Sequence, residues 1–240
     1  MNERNDALSA VVEDLVAANR ILAGLGVLDG FGHVSARHPS RPDRYLLSRS
    51  LAPATVTAAD VMTFDLGSNA VDGDDRRPYL ERFIHGAIYA RRPDVMAVVH
   101  SHSPSVIPFA ASSVPLRPLY HMASFITGAA RVFEIRARFG TTDMLVRNVE
   151  QGHALAESLA DDAIVLMRGH GFCAVAESLP VVVFRAAYTE TNAGLQQQAI
   201  ALGGSVTYLD EGESLLSEKT NRSVVERPWN LWKSRFAPSE

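Results

Sequence analysis

The chain has 240 residues, of which 47% are hydrophobic and 21% charged, and its net charge is −4. These values are typical of a globular protein with a buried core, and they give no electrostatic reason to expect a nucleic acid or an anionic membrane surface as partner. No apolar run is long enough to cross a membrane, and the polar start of the chain is unlike a signal peptide. A single cysteine, Cys173, excludes an internal disulfide and fits a reducing compartment. We therefore expect a cytoplasmic protein.

The first third of the chain predicts a helix followed by strands. Apolar residues recur at helical spacing from Leu8 to Leu22, so the chain opens with an amphipathic helix. Strands are predicted after the glycine-rich turn at 30–35, at 45–48 and at 61–64. A polar surface loop over 67–77 then precedes a helix over 80–91.

Strand and helix patterns continue through the rest of the chain. A buried, β-branched run over 95–99 predicts a strand, while the segment 112–127 stays unassigned. Further helices are predicted near 105–111, over 150–159 and from the Ser178 cap to about 202, and further strands at 163–167, 172–176 and 206–209. This mixture, without strict alternation, predicts an α/β or α+β protein with helices covering a central sheet. No linker or repeat divides the chain, so we expect one domain over 1–240, with a core at about 8–209 and a tail at 210–240.

Two imidazoles lie together at the end of the strand predicted over 95–99. Residues two apart on a strand project to the same face, so His100 and His102 point in the same direction. Two such rings form half of a divalent metal site. The same pattern is equally compatible with two surface histidines or with a hydrogen-bonded pair in the core, so a metal site needs a third ligand.

His170 is the candidate for that third ligand. It lies between Gly169 and Gly171 at a predicted tight turn between two strands, where the glycines leave its imidazole unobstructed. Three histidines with an open position describe a catalytic metal site rather than a structural one. Glu81, on the preceding helix, is a candidate fourth ligand or general acid/base, although an exposed glutamate paired with a neighbouring cation would show the same pattern.

The order of these motifs resembles the class II aldolase/adducin family over about residues 8–205. The resemblance rests on Gly32-His33-Val34-Ser35, Glu81, His100-x-His102 and Arg168-x-His170-Gly171. It implies a three-layer α/β/α sandwich around a mainly antiparallel sheet, usually assembled as a homotetramer with active sites between subunits. Carried over by position, it implies that His100, His102 and His170 hold a divalent metal and that Glu81 is the acid/base.

Two departures from the family pattern bear on the substrate. Sugar-phosphate aldolases of the family have Gly-Asn-x-Ser where this chain has His33 in the second position, and they have two small hydroxyl residues where it has Tyr79-Leu80. Leucine and tyrosine cannot reproduce a hydroxyl cradle for phosphate. The chain instead resembles the decarboxylase branch, whose members act on hydroxylated aromatic or pyridine carboxylates, in the stretches 31–39, 47–53 and 79–86.

We therefore expect a metal-dependent, non-oxidative decarboxylase of an ortho-hydroxy aromatic or pyridine carboxylate. The phenolic oxygen and the carboxylate would chelate the metal while a general acid protonates the ring carbon, with Glu81 as first choice of acid and His33 as second. Three imidazoles suit zinc, iron or manganese, and the resemblance favours Mn²⁺. The residues expected to contact the substrate are Ser48, Arg49, Ser50, Tyr79, His121 and Arg168. For Arg49 a solvated loop arginine, and for His121 a core or interface histidine, are the competing interpretations.

Three other functions stay open at this point. The metal triad and Glu81 are also compatible with a retro-aldol lyase acting on a small non-phosphorylated hydroxy-carbonyl compound. An iron-dependent oxygenase of the same family shares part of the pattern. A non-catalytic module, like the head domain of adducin, is the third alternative, although such modules are expected to lack a full set of ligands.

Overall fold

The computed structural model describes residues 3–71 and 73–237. Residues 1, 2, 72 and 238–240, which belong to the expected polar start, the loop over 67–77 and the tail, lie outside the described residues. Within them, the strands are β1 (His33–Arg37), β2 (Arg44–Ser48), β3 (Val61–Asp65), β4 (Ala97–Ser101), β5 (Arg131–Phe133), β6 (Ile164–Met167) and β7 (Gly171–Ala176). The helices are α1 (Glu3–Gly24), α2 (Arg82–Arg91), α3 (Ile107–Ala110), α4 (Ile135–Phe139), α5 (Val149–Leu159), α6 (Leu179–Ala201), α7 (Glu211–Ser223) and α8 (Glu226–Phe236).

The strands form one sheet in the order β3-β2-β1-β4-β7-β6-β5. Neighbouring strands are antiparallel except for β5 and β6, which run parallel. β1 and β4 are paired so that His33 lies opposite His100. This register places two of the residues singled out in the sequence side by side near the centre of the sheet.

Hydrophobic clusters cover both faces of the sheet. Because strand side chains alternate between faces, Val99 of β4 packs with α1 and α6 on one side, while Val98 packs with α2 and α5 on the other. His33, Ser35 and His100 project to the α2 side, since they occupy the same alternate positions as Val98. The expectation of an α/β/α sandwich with a mainly antiparallel sheet is confirmed.

Several sequence-based predictions of individual elements were wrong. Residues 206–209 form no strand, and the amide of Leu209 instead donates to the carbonyl of Pro118 at 2.9 Å. β5 and α4 were not predicted, because their segment is short and polar. The helices α7 and α8 occupy most of the predicted tail, and Trp229 of α8 is buried against the cluster that includes α1. No described helix combines the length and the apolar character that crossing a bilayer requires.

Candidate metal centre

Four side chains from distant parts of the chain converge on the α2 side of the sheet. The Nε2 atom of His102 lies 3.1 Å from Nε2 of His100 and 3.0 Å from Nε2 of His170. The Glu81 carboxylate is 3.5 Å from Nε2 of His100 and 3.3 Å from Nε2 of His170. One ligand atom from each of the four residues lies within 4.8 Å of every other. The candidates for metal binding are therefore brought together as a single cluster.

Local backbone geometry explains how the ligands meet. His100 belongs to β4, and His102 follows one residue after its end. His170 lies in the tight turn between β6 and β7, where Gly169 has a φ of +63°. A Cβ atom on Gly171 would be 1.9 Å from the Ser101 carbonyl oxygen, so only glycine lets this turn approach the end of β4. The approach brings the third imidazole to the first two.

A second set of hydrogen bonds orients the ligands. The Nδ1 atom of His170 lies 3.0 Å from the carbonyl oxygen of Met144, and that of His100 lies 3.3 Å from the carbonyl oxygen of Phe172. The amide of Val146 donates to Oε1 of Glu81 at 3.0 Å. One loop, residues 142–146, thus orients both Glu81 and His170. Sequence reasoning did not identify this loop, because main-chain donors and acceptors leave no signature in residue type.

The chemistry of the four ligand groups suits a divalent cation. When the carbonyls of Phe172 and Met144 hold the ring hydrogens on Nδ1, the Nε2 atoms of His100 and His170 carry bare lone pairs. Those lone pairs converge with a carboxylate at distances close to the roughly 3.3 Å that separates nitrogens around a tetrahedral ion. A cation would remove their mutual repulsion. Three imidazoles and a carboxylate suit zinc, iron or manganese.

The electrostatics of the cluster follow from burial and from these contacts. Burial opposes ionisation of Glu81, but without a bound cation hydrogen bonds and charges from His100 and His170 outweigh it and hold its pKa well below the usual range. Burial also opposes protonation of His170, but the hydrogen bond and charge of Glu81 outweigh it and raise the pKa of that ring, so a bound cation would take the place of this proton. Burial, followed by repulsion from His100 and His170, lowers the pKa of His102 to about 4. An ionised carboxylate and a neutral imidazole are the states in which these groups bind metals.

His33 lies beside the cluster rather than in it. Its ring centroid is 5.1 Å from that of His100 and 4.5 Å from that of Tyr79, and the residue is 3% exposed. Burial, followed by repulsion from His85 and His100, lowers the pKa of His33 well below its ordinary value. A neutral imidazole thus stands next to a candidate metal ligand, at the edge of the cluster.

Behind His33, a chain of buried polar side chains continues away from the cluster. The Nδ1 atom of His33 lies 2.6 Å from Nε2 of His85, whose own Nδ1 lies 2.6 Å from the Ser35 hydroxyl. Ser35 in turn lies 2.8 Å from the hydroxyl of Tyr89. No role in the site was assigned to His85 from the sequence. A signal was present, because Glu81, His85 and Tyr89 follow at intervals of four and share one helical face.

The residues predicted to bind substrate fall into two groups. Tyr79 contacts His33, and the buried Ser48 donates to the Tyr79 hydroxyl at 3.3 Å, so both are linked to the cluster. The charge of Arg49 is already paired, 2.7 Å from Asp60. Ser50, next to it, contributes its amide to the Arg77 carbonyl and is exposed.

Arg168 and His121 are also separate from the cluster within the described chain. Arg168 forms an ion pair with Glu134, although its Nη2 atom lies 3.6 Å from the sulfur of Met144, in the loop that orients His170. His121 is exposed in a 3₁₀ turn, and its carbonyl accepts from Asn221 at 2.8 Å. The substrate roles of Arg49, Ser50, Arg168 and His121 stay predictions.

Comparisons with known proteins show the family to which the chain belongs. The family model of the class II aldolase and adducin N-terminal domain matches residues 13–197. The decarboxylase TropJ of Talaromyces stipitatus is 35% identical over 248 residues, covering 93% of each chain. The 3,4-dihydroxyphthalate decarboxylase of Arthrobacter keyseri is 30% identical and covers 84% of this chain and 83% of its own.

Among solved structures, an aldolase II superfamily protein from Pseudomonas syringae superposes with a TM-score of 0.78 at 22% identity. It covers 95% of this chain and 92% of its own, which shows that the fold is shared. The resemblance inferred from the motifs, including its decarboxylase branch, is confirmed. The chain belongs to the class II aldolase and adducin family.

Proposed function

We propose that the protein is a divalent-metal-dependent, non-oxidative decarboxylase of an ortho-hydroxy aromatic or pyridine carboxylate. The observation that carries the proposal is the convergence of three imidazole Nε2 atoms and the Glu81 carboxylate, with His33 and Tyr79 beside them. Mn²⁺ is the favoured ion, with Zn²⁺ and Fe²⁺ as alternatives. We further propose that the chain is one domain and acts in the cytoplasm as a homotetramer. The expected class of enzyme, a carboxy-lyase, is confirmed by the relatives that are named decarboxylases.

The first step is binding of the substrate next to the histidine cluster. When bound, the ion supplies Lewis-acid chemistry for the phenolic oxygen and the adjacent carboxylate. The rings of His33 and Tyr79 lie side by side near the cluster and offer a partly polar, aromatic surface to a substrate ring. Leu80, which is 49% exposed beside Glu81, stands where a phosphate would need a hydroxyl partner. This arrangement favours an aryl carboxylate over a sugar phosphate.

The second step is movement of a proton to the ring carbon that carries the carboxylate. Glu81 is ionised at rest, so it first accepts the phenolic proton and then returns it to that carbon. Protonation at that carbon turns the ring into a β-keto acid. The bond to the carboxylate then breaks, CO₂ leaves, and the bonding electrons pass through the ring to the phenolic oxygen, which restores aromaticity as a phenolate. The phenolate takes a proton from solvent to give the phenol product. His33 donates a hydrogen bond to an oxygen of the substrate during this step and is the second candidate for the proton donor.

A substrate panel tests the proposed function. The metal content of the protein as purified is measured first, and the identified ion is then restored in excess. We expect 3,4-dihydroxyphthalate and other ortho-hydroxy dicarboxylates to release CO₂ without consumption of oxygen, while phthalate, which lacks the hydroxyl, releases none. Absence of CO₂ from every ortho-hydroxy acid by the metal-loaded protein would reject the proposal.

The same panel separates the alternative functions. A retro-aldol lyase would produce an aldehyde from small hydroxy-carbonyl compounds, and the complete set of histidines and Glu81 is the observation that favours it as second candidate. An oxygenase would consume O₂ in step with the substrate. Protein that binds no stoichiometric metal and turns over none of these compounds would instead indicate a non-catalytic module.

A further inference from the structure

A buried line of four polar side chains links the site to the interior of α2. It runs from His33 through His85 and Ser35 to Tyr89, with successive distances of 2.6, 2.6 and 2.8 Å. His85 and Ser35 have no exposed surface, and Tyr89 is 1% exposed. Burial lowers the pKa of His85 to about 3, so its ring is neutral and carries one N–H. A line of neutral, buried groups that bond to one another in sequence can adopt only two orientations of its hydrogens.

The end of the line selects between the two orientations. Either hydroxyl could donate across the 2.8 Å between Ser35 and Tyr89, but among the described residues Ser35 Oγ is the acceptor within reach of the Tyr89 hydrogen. Tyr89 therefore donates to Ser35, and the Ser35 hydrogen is free for Nδ1 of His85. The reverse orientation would leave the buried Tyr89 hydrogen without an acceptor, which is unfavourable for a donor that is shielded from solvent.

The orientation of Tyr89 and Ser35 also fixes the hydrogens of His85 and His33, at the end of the line nearest the histidine cluster. Since Nδ1 of His85 accepts, its single N–H is on Nε2 and donates to Nδ1 of His33 at 2.6 Å. His33 then carries its own hydrogen on Nε2. That atom has no hydrogen-bond partner among the described residues, and it is not among the fully buried polar atoms that lack one, so it retains contact with the open space beside the cluster.

We propose that His85, held by Ser35 and Tyr89, is a positioning residue that fixes His33 in the Nε2–H tautomer and aims this donor at an oxygen of the bound substrate. The nature of that substrate rests on the proposed function, whereas the tautomer does not. In this assignment His85 does more than fill the space beside His33. Its hydrogen-bond polarity determines whether His33 presents a donor or an acceptor to the site.

Two variants of nearly equal size test the polarity. In His85→Gln, the amide oxygen can accept from Ser35 while the NH₂ group donates to His33, which keeps the native polarity. In His85→Glu, the carboxylate can only accept, so His33 must place a hydrogen on Nδ1. The readout is the protonation of the two ring nitrogens of His33, measured by ¹⁵N NMR on full-length, histidine-labelled protein loaded with diamagnetic Zn²⁺. The His33→Asn variant assigns the signals.

We expect a bare Nδ1 and a protonated Nε2 in the wild type and in His85→Gln, and a protonated Nδ1 in His85→Glu. A protonated Nδ1 in the neutral ring of the wild type overturns the proposal, and this measurement remains decisive if His85→Glu does not fold. The same pattern in both variants also overturns it, because it would mean that His85 only fills space.

A matched variant controls for disturbance of the neighbouring packing. Tyr45 is another fully buried tyrosine beside His85, but its hydroxyl lies 3.0 Å from both Ser68 Oγ and the Arg82 carbonyl oxygen and takes no part in the line. Tyr45→Phe should leave the His33 tautomer unchanged. The NMR experiment uses protein without substrate. A substrate panel in which no acid releases CO₂ would therefore reject the proposed function but would not change the tautomer measured for His33.

Discussion

The main-chain carbonyl of Met144 accepts a hydrogen bond from Nδ1 of His170 at 3.0 Å, and Met144 makes this contact from a left-handed conformation with a φ of +72°. A residue other than glycine is strained there by about 1–2 kcal/mol. The conformation persists because Thr142 accepts from the Met144 amide at 3.0 Å and the next amide but one, that of Val146, donates to Glu81. Strain in this loop is therefore tied to the orientation of two candidate metal ligands.

Substitution of Met144 should change the affinity for metal according to how well the new residue tolerates a positive φ. A β-branched residue is disfavoured at positive φ, so Met144→Val should displace the carbonyl and weaken Zn²⁺ binding by about 10-fold, within the range seen when a ligand's supporting contact is lost. Met144→Asn is the control, because asparagine tolerates this conformation while also removing the thioether. Competition with a chromogenic chelator measures both affinities, and equal weakening in the two variants would contradict the role of the backbone.

Glu81→Gln should separate proton transfer from metal binding. The amide oxygen of glutamine can still accept from Val146, so the loop is retained, but the side chain no longer carries a transferable proton. We expect kcat to fall by about 100-fold or more, within the range for loss of a general acid/base, while the protein still binds metal at one ion per chain. Near-normal kcat with restored Mn²⁺ would assign the proton transfer to another residue.

The stability of the metal-free protein should fall as the pH falls from 7 towards 5. Burial lowers the pKa of His85 to about 3 and that of His102 to about 4, whereas both rings titrate near 6.5 in the unfolded chain. Below about pH 6.5 the unfolded chain thus binds protons that the folded protein does not, and the free energy of unfolding decreases. His85, which is fully buried, contributes up to about 1.4 kcal/mol per pH unit, and the contribution of the partly exposed His102 is smaller because solvent screens it. His170 acts in the opposite direction, because Glu81 raises its pKa despite burial.

Urea unfolding in the presence of a chelator measures this dependence. His85→Gln should reduce the slope between pH 6 and pH 5 by about 1 kcal/mol per pH unit, because it removes one of the groups. His153→Gln, which alters an exposed ring of α5, controls for the exchange of histidine for glutamine. An unchanged slope in His85→Gln would mean that His85 is protonated in the folded protein.

Phe31 should contribute to substrate binding rather than to stability. Its side chain is 68% exposed although it is aromatic, and its ring centroid is 6.1 Å from that of His102. Stacking against a substrate ring is worth about 0.5–1.5 kcal/mol, so Phe31→Ala should raise KM for an aromatic acid by up to about 10-fold with little change in kcat. The urea midpoint should stay close to that of the wild type.

Leu231→Ala is the matched control for the loss of an exposed apolar side chain. Leu231 is 60% exposed and lies on α8, away from the elements that carry the histidines. It should change neither KM nor kcat. If Phe31→Ala behaves in the same way as Leu231→Ala, the exposed ring has no part in recognition of the substrate.

Local spacing in the sequence determined the histidine pair at the end of β4, the helix that follows Glu81 and the turn that carries His170. Alternation along a strand and periodicity along a helix depend on near neighbours, so these features were predictable. The family motifs extended this to the fold and to the candidate metal ligands. The local pattern did not identify the helices in the tail, and it wrongly favoured a strand at 206–209.

Only the tertiary structure decided which groups surround those ligands. Met144 reaches His170 across 26 positions and Val146 reaches Glu81 across 65, through main-chain atoms that every residue possesses. The pairing of β1 with β4 brings His33 to His100, and the packing of α2 on β1 brings His85 to His33. Asp60 likewise forms an ion pair with Arg49, and the sequence alone did not show whether the charge of Arg49 would be paired. Such contacts arise from the order and register of strands distant in the chain, which no local pattern encodes.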